Sequence, residues 1–390
     1  MSTTEQQKFP RKLGRCHNIE DLRRLAYKAL PFPIKDHLEG GSDDEVTLAD
    51  NRRAFDKYSL ISRYCTGVEE VDASVTVLGQ KIDWPFFAGP SGGHKYFHPD
   101  GEIGVGRAAH NYGTAFALSS WSTTSMEDLA SQAGDGPRFF QLQPARSREV
   151  VADLIQTAKN TGFNAVILTV DNPIHGNRER DARSGFGVPP AFGLKSWLSI
   201  ACKPRWALSM LPKIPEFAIY DKYLAQPGHD MNWLANQLIT NITWDDVAWI
   251  RQQWDGPFAI KGLVSVDDCK AAVDAGVSAV ILSNQGARHF DTAPATLTML
   301  PKIVEAVGDK IEVIFDSGIR RGTDILKAMA LGATACAGAR PYCYGLAAGG
   351  QAGAERALQL LRAEVERDMI FMGARTIADI TADSIIERHL

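Results

Sequence analysis

Ser283, Asn284, Gln285, Arg288, His289 and Asp291 crowd into one short stretch directly after the apolar run Val280-Ile281-Leu282. Such a run reads as a buried parallel strand, and the sudden change to small and polar residues as the rim where it ends. A loop hinged on Gly286 then holds amide, guanidinium, imidazole and carboxylate groups together, the inventory of a binding site for a polar ligand. An ordinary βα turn with a polar surface has a similar composition. The other strand ends decide between the two readings.

They are polar as well. Ser91, Ser119, Gln141, Thr169, Asp171, Lys261, Asp316, Arg320 and Arg340 all follow or end apolar runs. A purely structural fold does not require polar groups at nearly every such position, so their joint placement points to one site. Two stretches are the most specific, Asp316-Ser317-Gly318-Ile319-Arg320-Arg321-Gly322 and Gly338-Ala339-Arg340-Pro341. Glycine lets backbone N–H groups approach an anion closely, and arginine adds charge-assisted hydrogen bonds. These residues predict a phosphate-bearing cofactor or substrate.

The elements that must hold these groups form a rhythm. Apolar runs near 85–89, 114–118, 138–142, 164–170, 257–261, 278–282, 311–315 and 334–338 alternate with helical patterns at 101–112, 147–160, 266–275, 296–306 and 322–331. Short buried strands, most followed by a helix, predict an α/β fold, a single (β/α)8 TIM barrel with its site at the C-terminal ends of the strands. A doubly wound sheet would want Gly-x-Gly-x-x-Gly after an early strand, and Gly89-Pro90-Ser91-Gly92-Gly93 lacks that spacing. One domain over 1–390 is expected, with residues 1–80 as an N-terminal helical cap. Within the cap, Asn18 should open a helix over 18–30, glycine should close a short helix within 31–41, and Ser42-Asp43-Asp44-Glu45 reads as a capping box before a helix over 46–55.

Between the fourth and fifth strands, residues 184–243 are too many for an ordinary connection and predict a lid. Residues 193–216 within it mix tryptophan, aliphatics and basic side chains. The favoured expectation is that these apolar groups pack over the barrel mouth or against a neighbouring subunit. The second reading is peripheral contact with a membrane surface.

Composition excludes several classes. A net charge of −4 shows no basic excess, so nucleic acid is not an expected partner. The six cysteines lack paired metal-ligand spacing; reduced thiols in a cytoplasmic protein and no metal are expected. The first fifteen residues do not resemble a signal peptide, and no apolar run reaches the length of a membrane span.

The stretch Ser283 to Asp291 resembles the Ser-Asn-His-Gly-Gly-Arg-Gln-Leu-Asp signature of the FMN-dependent α-hydroxy acid oxidases and dehydrogenases, a family that includes glycolate oxidase and lactate and mandelate dehydrogenases. The resemblance runs from about residue 18 to the C-terminus. It implies FMN as cofactor, a small carboxylate as substrate and a homo-oligomer, commonly a tetramer. It puts Pro90, Ser91, Gly92, Ser119, Gln141, Thr169, Lys261 and Ser283 around the flavin ring and ribityl chain, and Asp316, Ser317, Gly318, Arg320, Ala339 and Arg340 towards the phosphate end. Lys261 would stabilise the anion of reduced flavin. Ala339 stands where the family usually has glycine, which would cost about 1 kcal/mol if the position needs positive φ.

On the substrate side the resemblance implies Arg178 and Arg288 as a carboxylate clamp, Asp171 as support for the catalytic base, and Trp121 and His175 as neighbours of the substrate. The catalytic histidine of the family falls on Gln285, and its two substrate-facing tyrosines fall on His37 and Gln143. An amide cannot accept a proton near neutral pH, and losing a positioned base costs on the order of 10²–10⁴ in rate. His37 is the best substitute, because an imidazole titrates near neutrality. Three readings follow: an FMN oxidoreductase with altered acid–base residues, a flavoprotein of lost or non-redox activity that binds carboxylates or a partner, and a flavin-free barrel enzyme acting on a phosphorylated metabolite.

Overall fold

The computed structural model describes residues 9–187, 190–210, 215–237 and 241–388. Eight parallel strands close into a barrel: β1 Phe86–Ala88, β2 Phe116–Ser119, β3 Arg138–Leu142, β4 Ala165–Thr169, β5 Phe258–Lys261, β6 Ala279–Leu282, β7 Glu312–Asp316 and β8 Ala335–Gly338. Neighbours in sequence are neighbours in space, and β8 pairs with β1 to close the ring, Gly338 opposite Ala88. This is the (β/α)8 TIM barrel expected from the alternating pattern. The inward positions mix alanines with larger apolar groups, Phe87, Ala117, Phe139, Ile167, Ala259, Ile281, Ile314 and Ala337 among them, all fully buried. Each large side chain of this kind contributes about 1.5–3 kcal/mol when removed from water. An antiparallel hairpin, Val75–Val77 with Gln80–Ile82, stoppers the N-terminal end, where Leu78 N donates to the Glu312 carboxylate at the start of β7. The opposite end stays open for chemistry.

The helices Gly101–Asn111, Arg148–Asn160, Val266–Asp274, Thr296–Val307 and Gly322–Ala330 match the periodic stretches within a residue or so. Asn18 caps Ile19–Ala29 by accepting from Asp21 N, and Phe32–Glu39 ends at Gly40, both as expected. The capping box at Ser42 does not form. Glu45 takes a left-handed conformation (φ 61°) and its side chain caps nothing in the helix Val46–Asp56. The donors of that helix are met from far along the chain. Asp291 accepts from Thr47 N at 2.8 Å and Val46 N at 3.2 Å, which ties the cap to the loop after β6.

The expected lid, 184–243, holds four short α-helices among its described residues, Leu194–Ala201, Pro204–Met210, Asp221–Leu224 and Met231–Gln237. Residues 1–8 of the expected cap, and 188–189, 211–214 and 238–240 of the expected lid, lie outside the described residues, the third group falling within the 193–216 segment. Packing over the barrel mouth is not what Leu194, Trp197, Leu198 and Leu208 do: they are 77, 57, 59 and 63% exposed. Trp206 of this stretch does pack against the core, its indole N–H donating to Tyr96 O at 2.8 Å. No helix among the described residues is long and apolar enough to cross a membrane.

Candidate active site

Lys261 ends β5 with its ammonium buried, 3.9 Å from Asp316 Oδ2 at the end of β7. Asp316 accepts a 2.6 Å hydrogen bond from Ser283 Oγ, at the end of β6. On the other side of the barrel, Ser119 Oγ donates to Gln141 Oε1 at 2.7 Å, joining the ends of β2 and β3. Thr169 Oγ1, at the end of β4, is buried and has no hydrogen-bond partner. A buried hydroxyl left so costs about 1–3 kcal/mol unless a ligand meets it. A cavity of about 110 Å³ opens beside it, lined in part by Gln143, Thr169 and Asn172.

Above β1, the Pro90-Ser91-Gly92 loop passes so close to Trp121 that a Cβ on Gly92 would lie 2.7 Å from the Trp121 Cβ. Beyond β7, Ser317 and Gly318 both have positive φ, 95° and 93°. That sharp turn brings Ser317 Oγ to accept from Asn284 N and Gly286 N at 3.4 and 3.3 Å. Arg320 lies over the Tyr344 ring, 5.6 Å from its centre, and donates to Ile319 O. Ala339 has φ −106°, open to any residue, so alanine there carries no left-handed strain. The Arg340 guanidinium is engaged with backbone carbonyls of Leu38, Glu39 and Gly40 on the cap and Gly286 on the loop after β6. It bolts the cap to the barrel.

On the substrate side, Gln285 (φ 50°) donates from Nε2 to Asp171 Oδ1 and Asn172 Oδ1, both at 2.5 Å. Burial raises the Asp171 carboxyl pKa, against the pull of Lys261 and the Gln285 amide. Gln143 accepts from the Trp121 indole at 2.7 Å. Arg288 reaches the cap. Its Nη1 donates to His37 O at 2.6 Å, and its Nη2 stands 3.3 and 3.4 Å from the two ring nitrogens of His37. Burial and the neighbouring Arg178 and Arg340 push the Arg288 pKa down to about 9, still cationic at neutral pH.

One member of this group escaped the sequence reading. Asp181, on the short helix Glu179–Ser184 that precedes the expected lid, lies 2.9 Å from His37 Nδ1 and 3.4 Å from Arg178 Nη1. Its signal was the three-residue spacing from Arg178, which puts both on one helical face. Phe186 completes the setting, its ring 4.3 Å from that of His37. His175 is exposed and makes no hydrogen bond to this group among the described residues. His289 holds the neighbouring loop through Ile174 O at 3.3 Å.

The barrel end therefore offers a buried ammonium, an unmet hydroxyl and a tight serine–glycine turn on one side, and paired arginines beside an imidazole on the other. Those groups suit a cofactor with an anionic ring and a phosphate, facing a small carboxylate. The chain matches the profile of the FMN-dependent dehydrogenases over residues 26–387. It is 38% identical to glycolate oxidase 5 of Oryza sativa subsp. japonica over 374 residues, covering 96% of each chain. It is 37% identical to a putative L-lactate dehydrogenase of Mycobacterium tuberculosis (strain ATCC 25618 / H37Rv) over 372 residues, 95% of this chain and 89% of the relative. Among solved structures, the monotopic membrane protein (S)-mandelate dehydrogenase superposes with a TM-score of 0.91 at 33% identity, covering 96% of this chain and 100% of that one. A soluble mutant of the membrane-associated (S)-mandelate dehydrogenase from Pseudomonas putida gives 0.82 at 33% identity, with coverages of 96% and 100%.

The chain belongs to the FMN-dependent dehydrogenase family. Its cofactor is FMN, and the buried Lys261 ammonium and the unmet Thr169 hydroxyl fit that group.

Proposed function

We propose that this enzyme oxidises a small 2-hydroxy acid to the 2-oxo acid, with Arg178 and Arg288 holding the carboxylate and His37 taking the hydroxyl proton. When bound, FMN would accept the hydrogen and electron pair of the substrate's Cα–H bond. The observation that carries the reading is the convergence of Arg178, Arg288 and His37 at one point of the rim. Gln285 then serves as a fixed amide: with Nε2 committed to Asp171 and Asn172, only its carbonyl oxygen is left to accept from a substrate hydroxyl. On this reading the base stands on His37 and not at Gln285, the position that resembles the family's histidine.

Anaerobic mixing of the FMN-loaded protein with glycolate, lactate and mandelate tests the proposal. Loss of the oxidised flavin absorbance supports it. A spectral perturbation without loss of colour supports instead a flavoprotein that binds carboxylates or a partner without oxidising them.

We also propose that the lid contacts a membrane surface from one side. Leu194, Trp197, Leu198 and Leu208 are exposed beside Lys195, Lys203 and Arg205, a mixture suited to an anionic interface. The membrane-associated mandelate dehydrogenase lends support. Sedimentation with anionic vesicles, lost in Trp197→Ser/Leu198→Ser, is the check. The family resemblance further supports a homotetramer, which light scattering would measure.

A further inference from the structure

His37 has replaced more than a tyrosine. It has acquired a carboxylate partner on a different element, and it sits between two cations. Asp181 Oδ2 is 2.9 Å from Nδ1. Arg288 Nη2 stands nearly equidistant from both ring nitrogens, so its charge lies against the ring and not on one lone pair. Arg178 reaches the same Asp181 carboxylate from the N-cap of the helix Glu179–Ser184. The charged groups on other elements packed against the cap helix Phe32–Glu39 divide cleanly. Arg23, Tyr27 and Tyr344 serve Glu39; Arg340 serves the carbonyls at the helix end; Arg180 pairs with Glu45; Lys195 lies over Phe32. Asp181, Arg178 and Arg288 are left to set the charge around His37.

Resting on the function proposed above, we infer that Asp181 is a positioning residue for His37, and that a carboxylate docked on Arg178 and Arg288 is what makes His37 a competent proton acceptor. Asp181 takes the Nδ1–H and so fixes the tautomer that leaves a lone pair on Nε2. Without substrate, a protonated His37 would add a third cation to two arginines, with one carboxylate to offset them. Burial and the Arg288 charge accordingly push the His37 pKa down to about 4. A bound carboxylate supplies the second anion, and the imidazolium becomes tolerable when the hydroxyl O–H breaks and its proton passes to Nε2. The base is switched on by the group that identifies the substrate.

The experiment is calorimetric titration of the FMN-loaded protein with oxalate, at a pH where oxalate is fully ionised, in buffers of different ionisation enthalpy. If docking favours protonated His37, oxalate binding takes up protons, and Kd rises by up to about tenfold per pH unit within the window between the free and bound pKa values. His37→Gln should abolish the uptake. Asp181→Asn should reduce it and Asp181→Glu restore it, a pattern that loss of packing alone would not give. Binding seen in the flavin spectrum with no proton uptake and a pH-independent Kd would overturn the inference and leave the carboxylate site standing. No binding at all would overturn the carboxylate site itself, and this inference with it.

Discussion

Lys261 Nζ and Asp316 Oδ2 stand 3.9 Å apart at the ends of β5 and β7, beyond good hydrogen-bonding distance although the ammonium is buried. Asp316 is already committed to Ser283 Oγ. A buried ammonium so weakly paired is poised for another anion. Lys261→Met should leave the protein folded and FMN-bound, but lower the flavin midpoint potential, because the reduced, anionic ring loses its cation. Redox titration measures it, and an unchanged potential would remove Lys261 from the ring's neighbourhood.

Arg288 spans loop and cap, and its two functions separate on mutation. Arg288→Met should abolish the flavin spectral change produced by oxalate, since a methionine keeps the bulk and loses the charge. It also strips a donor from His37 O, so a loss of about 1–3 kcal/mol in stability should accompany it. Arg288→Lys should recover part of the charge without the fork, and bind oxalate more weakly than the parent. Oxalate titration and thermal unfolding of the same samples separate the two effects.

The barrel was legible because its signal is local and repeated. An apolar run followed by polar groups and a helix recurs around the ring, and the strand ends fall where those groups begin. Tertiary connections were less legible. Ser42 to Glu45 has the letters of a capping box, yet Asp291 meets the helix donors from 244 residues away, and no local pattern foretells that. Asp181 lies just before the 184–243 segment expected to form the lid, on a helix of six residues too short to show periodicity. The final helix, Arg340–Met372, is interrupted by non-helical Gly349 and Gly350, which masked its length.

Acid should weaken this fold for a reason that can be traced. Burial, with nearby arginines, lowers the pKa of His37 to about 4 and of His289 to about 3, against about 6.5 for an unfolded histidine. Between those values the unfolded chain binds more protons, so their contribution is complete above about pH 6.5 and is lost as pH falls towards about 4 for His37 and about 3 for His289. Urea denaturation across that window should show stability rising with pH. The double variant His37→Gln/His289→Gln should have a shallower slope, and an unchanged slope would assign the dependence to other groups.

Gln285 offers the strictest test, because its partner is already in place. Asp171 lies 2.5 Å from the Gln285 amide nitrogen, where it could receive the N–H of an imidazole instead. Gln285→His should therefore raise 2-hydroxy acid oxidation above the parent, with a pH dependence reporting a group near neutrality. The gain from this change alone should be small. His37 remains tied to Asp181, and Gln143 still accepts from the Trp121 indole. Adding His37→Tyr and Gln143→Tyr puts phenols at both positions, and the three changes should exceed the sum of the single effects in free energy, since all would meet one substrate. His37→Tyr alone should do the reverse, losing activity on the order of 10²–10⁴ by removing the proposed base. Anaerobic flavin reduction by glycolate, lactate and mandelate measures every variant without assuming an electron acceptor. If His37→Tyr keeps full activity while Gln285→His gains none, neither position holds the base, and the proton must leave by another residue of the rim.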